Sequence, residues 1–251
     1  MAFKDTFSEM LGPVPLNHVL AEFLGTVLFQ FFGGACAANA HYRSEKWDGK
    51  PQPMAGLPVA ALGNGLCLAV LVFCTAGISG GHLNPAVSTG LYATGRLGIR
   101  RLILYVSAQL LGATVGACLL RLSLPYTTHP FNTLTPFVPP HPLQTILLEF
   151  IATFLLVYTV YSTAVDRKSA ADKAAPLTIG LSVTVGVFAI GPYTGGALNP
   201  ARTIGPAIAF MEPESVGVYV IACLCGGIAA AMFYDGVHLD EQPAEAKDRD
   251  E

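Results

Sequence analysis

Charged residues are scarce in this chain. Of its 251 residues only 12% are Asp, Glu, Lys or Arg, whereas 52% are hydrophobic and the mean hydropathy is +0.51. In ordinary soluble domains roughly a quarter of the residues are charged. This shortage excludes an ordinary water-soluble domain and predicts an integral membrane protein that is surrounded by a lipid bilayer.

Signals for cleavage, metal binding and catalysis are also absent. Residues 1–15 are mixed and polar, so we expect the first span to act as an uncleaved insertion signal. The six cysteines fall in apolar runs without zinc spacing to His, and we expect free thiols. No nucleophile, base and orienting group converge on one site. We therefore expect no enzyme, no metal or other cofactor, and no nucleic-acid partner.

One tripeptide occurs twice, as Asn84-Pro85-Ala86 and Asn199-Pro200-Ala201, each time after a Gly-Gly pair. Asn is among the best helix N-caps, and Pro is favoured at the first helical position. Each tripeptide therefore predicts a helix start inside apolar sequence. Two such starts indicate two half-helices that line a pore.

Six further segments are long and apolar enough to cross a bilayer, which takes about 20 residues. The two tripeptides fall between spans two and three and between spans five and six. The predicted spans are 17–38, 57–76, 101–122, 144–165, 177–192 and 215–234. We divide the chain into an N-terminal segment 1–15, a channel domain 16–235 and a charged C-terminal tail 236–251.

The two halves of the channel domain are related. Segment 21–26 is echoed by segment 148–153, which aligns Glu22 with Glu149, and the two tripeptide segments align likewise. Each repeat holds three spans, an odd number, so the second must insert upside down relative to the first. The repeats cover 16–122 and 143–235 and are linked by 123–142. Their tripeptide turns should meet near the middle of the membrane.

Basic residues near the span ends predict the orientation. The side that holds the termini carries more of them than the opposite side, so both termini are expected to be cytoplasmic. A plasma membrane and an intracellular, vacuolar-type membrane both fit the sequence. The basic residues on the terminal side are Lys4, Arg96, Arg100, Arg101, Arg167, Lys168, Lys173, Lys247 and Arg249.

From Glu22 to about Tyr234 the chain resembles the aquaporins of the major intrinsic protein family. The resemblance rests on segments Ser79–Val87 and Thr194–Arg202, which contain the two Asn-Pro-Ala boxes. It implies an all-α membrane fold with six transmembrane helices and two re-entrant half-helices in an inverted repeat. It also implies a homotetramer with one water-conducting pore per subunit.

The paired boxes suggest how protons and other ions would be excluded. Each half-helix presents about half a positive charge at its N-terminus, and two such ends at one site repel cations. The side-chain NH₂ groups of Asn84 and Asn199 are hydrogen-bond donors. A water between them would accept from both and turn its hydrogens outward, which interrupts the wire that a hopping proton needs.

Four other residues receive roles from the resemblance. Glu22 and Glu149 should accept hydrogen bonds from the re-entrant loops and hold their shape. His82 should line the cytoplasmic vestibule, although a pH sensor is the alternative, since His titrates near neutrality. Phe29 fits an apolar pore wall, a lipid-facing position or the protein core.

By the same resemblance Arg202 is the filter arginine and forms a constriction with Asn64, Val187 and Gly196. A strict water channel typically has Phe and His at the first two of these three positions. Asn and Val are less bulky than those rings, so we expect a wider filter here.

Pore diameter and the donors that line a pore set its selectivity. A wider filter makes glycerol, urea, ammonia, hydrogen peroxide and boric acid candidate solutes besides water. Thr203 and Ala207 count against a dedicated glycerol facilitator, in which Asp and a basic residue are usual.

Two other classes of protein remain as alternatives. A secondary transporter can also have inverted repeats and broken helices, but it should carry ionisable coupling groups near the middle of the membrane. A structural membrane junction protein should have an occluded pore, and the glycines before both tripeptides count against occlusion.

Overall fold

The computed structural model describes residues 12–46, 56–124, 141–213 and 215–239. Most of the predicted N-terminal segment 1–15, of the linker 123–142 and of the tail 236–251 lies outside these ranges. Within the described ranges every regular element is helical.

Six helices are long and apolar enough to cross a membrane by length and composition. This confirms the predicted number of spans. The chain order also contains two short helices, each between two long ones. In order the helices are α1 (Leu16–Lys46), α2 (Leu57–Ser79), α3 (Pro85–Ala93), α4 (Ile99–Ser123), α5 (Pro142–Val160), α6 (Ala175–Thr194), α7 (Pro200–Phe210) and α8 (Val216–Val237).

Short irregular turns join two of these helices. A π-helical turn, Tyr161–Val165, extends α5, and a 3₁₀ turn, Asp172–Ala174, precedes α6. The observed bounds differ from the predicted ones by a few residues at most ends. The largest difference is in α1, which continues from the predicted end at residue 38 to Lys46, because a helix need not stop where its apolar sequence does.

Glycines end the two helices that lead into the short ones. Gly80 after α2 has a φ of 94° and Gly195 after α6 has a φ of 83°, a left-handed conformation that glycine adopts without strain. A few residues later Leu83 and Leu198 both have a φ of 50°. The chain therefore reverses in the same way twice and turns back into the bundle.

The two halves pack as an inverted repeat, α1 to α4 against α5 to α8. The short helix α3 packs mainly against α8, and α7 packs mainly against α4. Each short helix is thus held by the third long helix of the other repeat. Both begin in the interior and run outward in opposite directions, as half-helices of an inverted repeat must.

Small residues bring the long helices close together. A Cβ on Gly112 of α4 would lie 2.5 Å from the carbonyl oxygen of Phe23 in α1, and one on Gly226 of α8 would collide with the carbonyl of Phe150 in α5. Such contacts are typical of membrane helices. Large apolar side chains on the outer surface are about half exposed, as contact with lipid requires; they include Leu24, Val70, Leu111, Ile151 and Ile221.

Candidate pore

A cavity of about 480 Å³ runs from one end of the bundle past its centre. It opens at the end that holds the start of α1 and the end of α8, next to Val165, Asp172 and Lys173. We call this the terminal end and the opposite one the far end. The cavity reaches inward to Phe29 and Arg202. Its wall is mostly apolar and is formed by Leu68, Val72, Val87, Leu91, Leu156, Val160, Ile179 and Val183.

The two predicted helix starts are real and alike. Asn84 precedes α3, and its Oδ1 accepts from the backbone N–H of Ala86 at 2.9 Å. Asn199 precedes α7, and its Oδ1 accepts from Ala201 at 2.9 Å. Both asparagines have extended backbone, and Pro follows each at the first helical position. Each side chain therefore satisfies one of the N–H groups that a helix start leaves without a partner.

The same asparagines also tie the two repeats together. The Nδ2 of Asn84 donates to the carbonyl of Leu198 at 2.8 Å, and the Nδ2 of Asn199 donates to the carbonyl of Leu83 at 2.9 Å. Both asparagines line the cavity. An amide nitrogen carries two hydrogens, so each Nδ2 has a second N–H beyond the one used in these bonds.

A buried carboxylate holds the first re-entrant loop. Glu22 of α1 is fully buried and accepts from the hydroxyl of Ser79 at 2.6 Å. It also accepts from the backbone N–H of His82 at 3.0 Å and of Leu83 at 2.7 Å, and from Nε2 of Gln109 at 2.8 Å. The four donors satisfy the buried charge and fix the loop that leads to Asn84.

Glu149 of α5 stands in the same relation to the second loop. It is fully buried and accepts from the hydroxyl of Thr194 at 2.7 Å and from the backbone N–H groups of Ala197 and Leu198, both at 2.9 Å. The thiol of Cys223 lies 3.8 Å from its Oε2. Neither glutamate belongs to the cavity lining.

Sequence reasoning missed two tyrosines that brace these loops. Tyr105 of α4 donates to the carbonyl of Ser79 at 2.7 Å, and Tyr219 of α8 donates to the carbonyl of Thr194 at 2.8 Å. Each carbonyl is the last of the helix before the loop. The signal was present, since the tyrosines hold matching positions in the third long helix of each repeat, but only the first helices and the tripeptides were aligned.

His82 of the first loop lies beside the cavity, towards the terminal end of the bundle. Its Nδ1 is 3.0 Å from the hydroxyl oxygen of Ser88, and its ring meets the ring of Tyr105 edge to face, with centroids 5.1 Å apart. The corresponding residue of the second loop is Ala197. The imidazole is therefore positioned from two sides and forms part of the wall.

Arg202 and Phe29 close the inner end of the cavity. The guanidinium carbon of Arg202 lies 4.6 Å from the centroid of the Phe29 ring, a distance typical of a cation–π contact. Phe29 is 2% exposed, so it does not face lipid, and Arg202 is 1% exposed. The positive charge is thus fixed at one level of the passage, on the far side of the two asparagines.

The other three predicted filter residues, Asn64, Val187 and Gly196, do not line the cavity itself. Asn64 donates through Nδ2 to the carbonyl of Ala60 in its own helix at 2.8 Å. Val187 is next to Gly196, where an added Cβ would lie 3.1 Å from the valine Cγ2. The side chains of Asn64 and Val187 are both almost fully buried.

The cysteines do not contribute to these contacts apart from Cys223. All six are free thiols, as expected from the sequence. Within the described ranges no group of three or more His, Cys, Asp or Glu side chains is placed to hold a metal ion.

Comparisons with known proteins match the chain over nearly its whole length. The family model described as Major intrinsic protein matches residues 12–234. Aquaporin TIP2-3 of Zea mays is 39% identical over 241 residues, which are 93% of this chain and 92% of that protein. Aquaporin TIP2-1 of Arabidopsis thaliana is 38% identical over 247 residues, 95% of this chain and 92% of that protein.

A solved structure shares the fold. The X-ray structure of the aquaglyceroporin from Plasmodium falciparum superimposes with a TM-score of 0.69 and covers 88% of this chain and 96% of that chain. Its sequence identity is 24%, so the likeness supports the architecture alone.

Proposed function

The chain belongs to the major intrinsic protein family, which makes it a membrane channel and not an enzyme, and we propose that it conducts water together with small uncharged solutes. Protons and other ions are excluded. The candidate solutes are glycerol, urea, ammonia, hydrogen peroxide and boric acid.

The observation that carries the proposal is the pair of asparagines in the cavity wall. Their positions are fixed by the cross-bonds between the repeats, 2.8 and 2.9 Å long. Each has one amide hydrogen left for a permeant. A water that accepts from both points its own hydrogens outward along the pore. Neighbouring waters then face opposite ways on the two sides, and a proton cannot be relayed through this point.

Electrostatics support the exclusion of cations. The N-termini of α3 and α7 meet at the asparagines, and each contributes about half a positive charge. The guanidinium of Arg202 adds a full positive charge on the far side of the two asparagines. A neutral solute meets no such barrier, and the apolar wall offers it few groups that would hold it.

We assign supporting roles to the residues behind the loops. Each glutamate accepts from the backbone N–H of the leucine before the Asn-Pro-Ala box and from that of the residue before this leucine, so both shape the pore without touching the permeant. His82 contributes a polar group to the vestibule on the terminal side. Its place in the cavity lining supports this pore-lining role.

The filter is assigned to Asn64, Val187, Gly196 and Arg202. The Asn64 amide is bonded to its own helix and the Val187 side chain lies against Gly196, so both leave more room than Phe and His rings would. Arg202 supplies donors for the oxygen of water, glycerol or urea. Phe29 forms the apolar wall beneath it.

The alternatives are less well supported. A secondary transporter should present a carboxylate for a coupling ion near the centre, yet the two buried glutamates are engaged by the loops and lie outside the cavity lining. A structural junction protein should have an occluded pore, but a cavity of about 480 Å³ runs from the terminal end past the asparagines as far as Arg202.

We further propose that the channel is a homotetramer and that both termini are cytoplasmic. The first point rests on the family, and the second on the basic residues of the terminal side. The accessibility of an epitope at the C-terminus in intact and in opened cells tests the orientation.

Osmotic swelling tests the function. Purified protein in liposomes is exposed to an impermeant osmolyte and the shrinkage is followed by stopped-flow scattering, then glycerol and urea gradients are used. We expect fast shrinkage followed by re-swelling with at least one solute. The matched variant Asn64→Phe with Val187→His should keep the water flow and reduce the solute flow. Shrinkage no faster than in empty liposomes, for protein shown to be folded and inserted, would contradict the proposal.

A further inference from the structure

We propose that Gly33 of α1 determines the solute specificity of the filter, because its missing side chain leaves the recess that keeps the Asn64 amide out of the pore. The proposal rests on the channel function above and adds a residue to the filter that does not itself face the permeant.

The distances leave no room for a side chain at this position. A Cβ on Gly33 would lie 2.5 Å from Oδ1 of Asn64 and 3.5 Å from its Cγ. Real Cβ atoms essentially never approach another atom within 3.0 Å. Any residue other than glycine therefore forces the amide of Asn64 to move.

One hydrogen bond holds the amide in the recess, and the missing side chain of Gly33 leaves it room there. Its Nδ2 donates to the carbonyl of Ala60 at 2.8 Å, whereas Oδ1 has no hydrogen-bond partner among the described residues. Asn64 is 3% exposed. A buried carbonyl oxygen without a partner is unfavourable, so an amide displaced from the recess gains by turning Oδ1 towards water. In the proposed channel that water is the water of the pore.

The helix that carries Asn64 cannot retreat instead. On one side of α2, a Cβ on Gly63 would lie 2.5 Å from Cβ of Cys36 in α1. On the other side, a Cβ on Gly65 would lie 2.5 Å from the carbonyl oxygen of Gly180 in α6. Close contacts on both faces fix the backbone of α2 around position 64, so the strain of an added methyl group falls on the Asn64 side chain.

Gly33 also lies at the level of the filter. Phe29 is one turn earlier on the same face of α1, and a Cβ on Gly33 would lie 3.6 Å from its Cδ2. The Phe29 ring in turn lies under the guanidinium of Arg202. One face of α1 thus contacts the filter at two points. Phe29 places its ring under Arg202, and Gly33 leaves space beside Asn64. A displaced amide would enter the passage next to Arg202.

Flux measurements on Gly33→Ala test the inference. In proteoliposomes with equal amounts of inserted protein, we expect glycerol and urea permeability to fall several-fold relative to water permeability. Gly77→Ala is the matched control, because it adds a methyl to α2 where no atom lies within 4 Å. It should leave all permeabilities unchanged.

A second substitution separates the recess from general damage. Asn64→Ala removes the amide that the methyl would displace, so Gly33→Ala combined with Asn64→Ala should conduct solutes as well as Asn64→Ala alone. If Gly33→Ala by itself does not insert into the membrane, the comparison of the double variant with Asn64→Ala still tests the proposal. If the wild-type channel passes only water, the same pattern is expected in the water permeability.

The outcomes separate the two proposals. Wild-type protein that conducts neither water nor solutes would overturn the proposed function. Wild-type conduction with Gly33→Ala indistinguishable from Gly77→Ala would leave the channel function standing and overturn the role of Gly33. A double variant that conducts less than Asn64→Ala would also overturn it.

Discussion

The two re-entrant loops have the same shape but different supports. Both pass through a left-handed leucine, at Leu83 and Leu198, with the same φ of 50°. Behind the first loop, Glu22 receives an amide N–H of Gln109 at 2.8 Å. Behind the second loop Cys223 takes the position of Gln109, and its thiol lies 3.8 Å from Oε2 of Glu149. A thiol is a much weaker donor than an amide.

The difference extends to the neighbouring side chains. In the first repeat the hydroxyl of Ser88 contacts both His82 and Gln109, which closes a polar network. In the second repeat Ala197 and Cys223 stand in those positions, and the buried Oγ1 of Thr203 has no hydrogen-bond partner in the described part of the chain. The loop shape therefore depends on what both repeats share, and that is a carboxylate, a hydroxyl, two backbone N–H groups and a tyrosine.

Removing either carboxylate should have the largest effect. Glu22→Ala and Glu149→Ala each leave two buried backbone N–H groups of a loop without an acceptor, and each such donor costs about 1–3 kcal/mol. We expect both variants to unfold at a much lower temperature in detergent, Glu22→Ala more so because Gln109 also loses its hydrogen bond to the carboxylate. Thermal unfolding followed by size-exclusion chromatography measures this. Equal unfolding midpoints for wild type and Glu149→Ala would mean that the loop shape does not depend on the carboxylate.

The amide and the thiol can be compared directly. Gln109→Ala removes a hydrogen bond to a charged group, worth about 1.5–3 kcal/mol, whereas Cys223→Ala removes a weak and long one. We expect Gln109→Ala to lower the unfolding midpoint clearly and Cys223→Ala to lower it only slightly. The same thermal assay decides the order. A larger loss for Cys223→Ala would mean that the two supports differ in a way that donor strength does not explain.

The tyrosines should have a smaller effect in both repeats. Tyr105→Phe and Tyr219→Phe each remove one hydrogen bond to a loop carbonyl, about 1 kcal/mol. Tyr105 also accepts from Arg101 at 3.0 Å, so its variant should be the less stable of the two. Unfolding midpoints of the two variants beside wild type give the comparison. If neither differs from wild type, the tyrosines do not brace the loops.

Much of the fold follows from local sequence. The spans are long apolar runs, and Asn84 and Asn199 mark their half-helices because an N-cap followed by Pro is a local signal. Glu22 and Glu149 stand out because ionisable residues within spans are rare. The inverted architecture then follows from the odd number of spans in each repeat.

Several contacts between distant helices were not predicted. Tyr105 and Tyr219 donate to carbonyls that are 26 and 25 residues away in the chain. Gln109 donates to Glu22, which is 87 residues away. Phe29 could be placed on a helix face but not under Arg202, which is far from it in sequence. Gly33 shows the limit most clearly, because its contribution is the space that it leaves for a side chain of another helix.

Water permeability and proton leak, recorded in the same wild-type proteoliposomes, test the central claim most directly. A dye inside the vesicles reports their pH while light scattering reports their volume. The paired half-helices predict water flow well above that of empty liposomes with a proton leak no greater than theirs. Fast water flow accompanied by rapid proton equilibration would contradict the account, because the asparagine pair would then not interrupt the water wire.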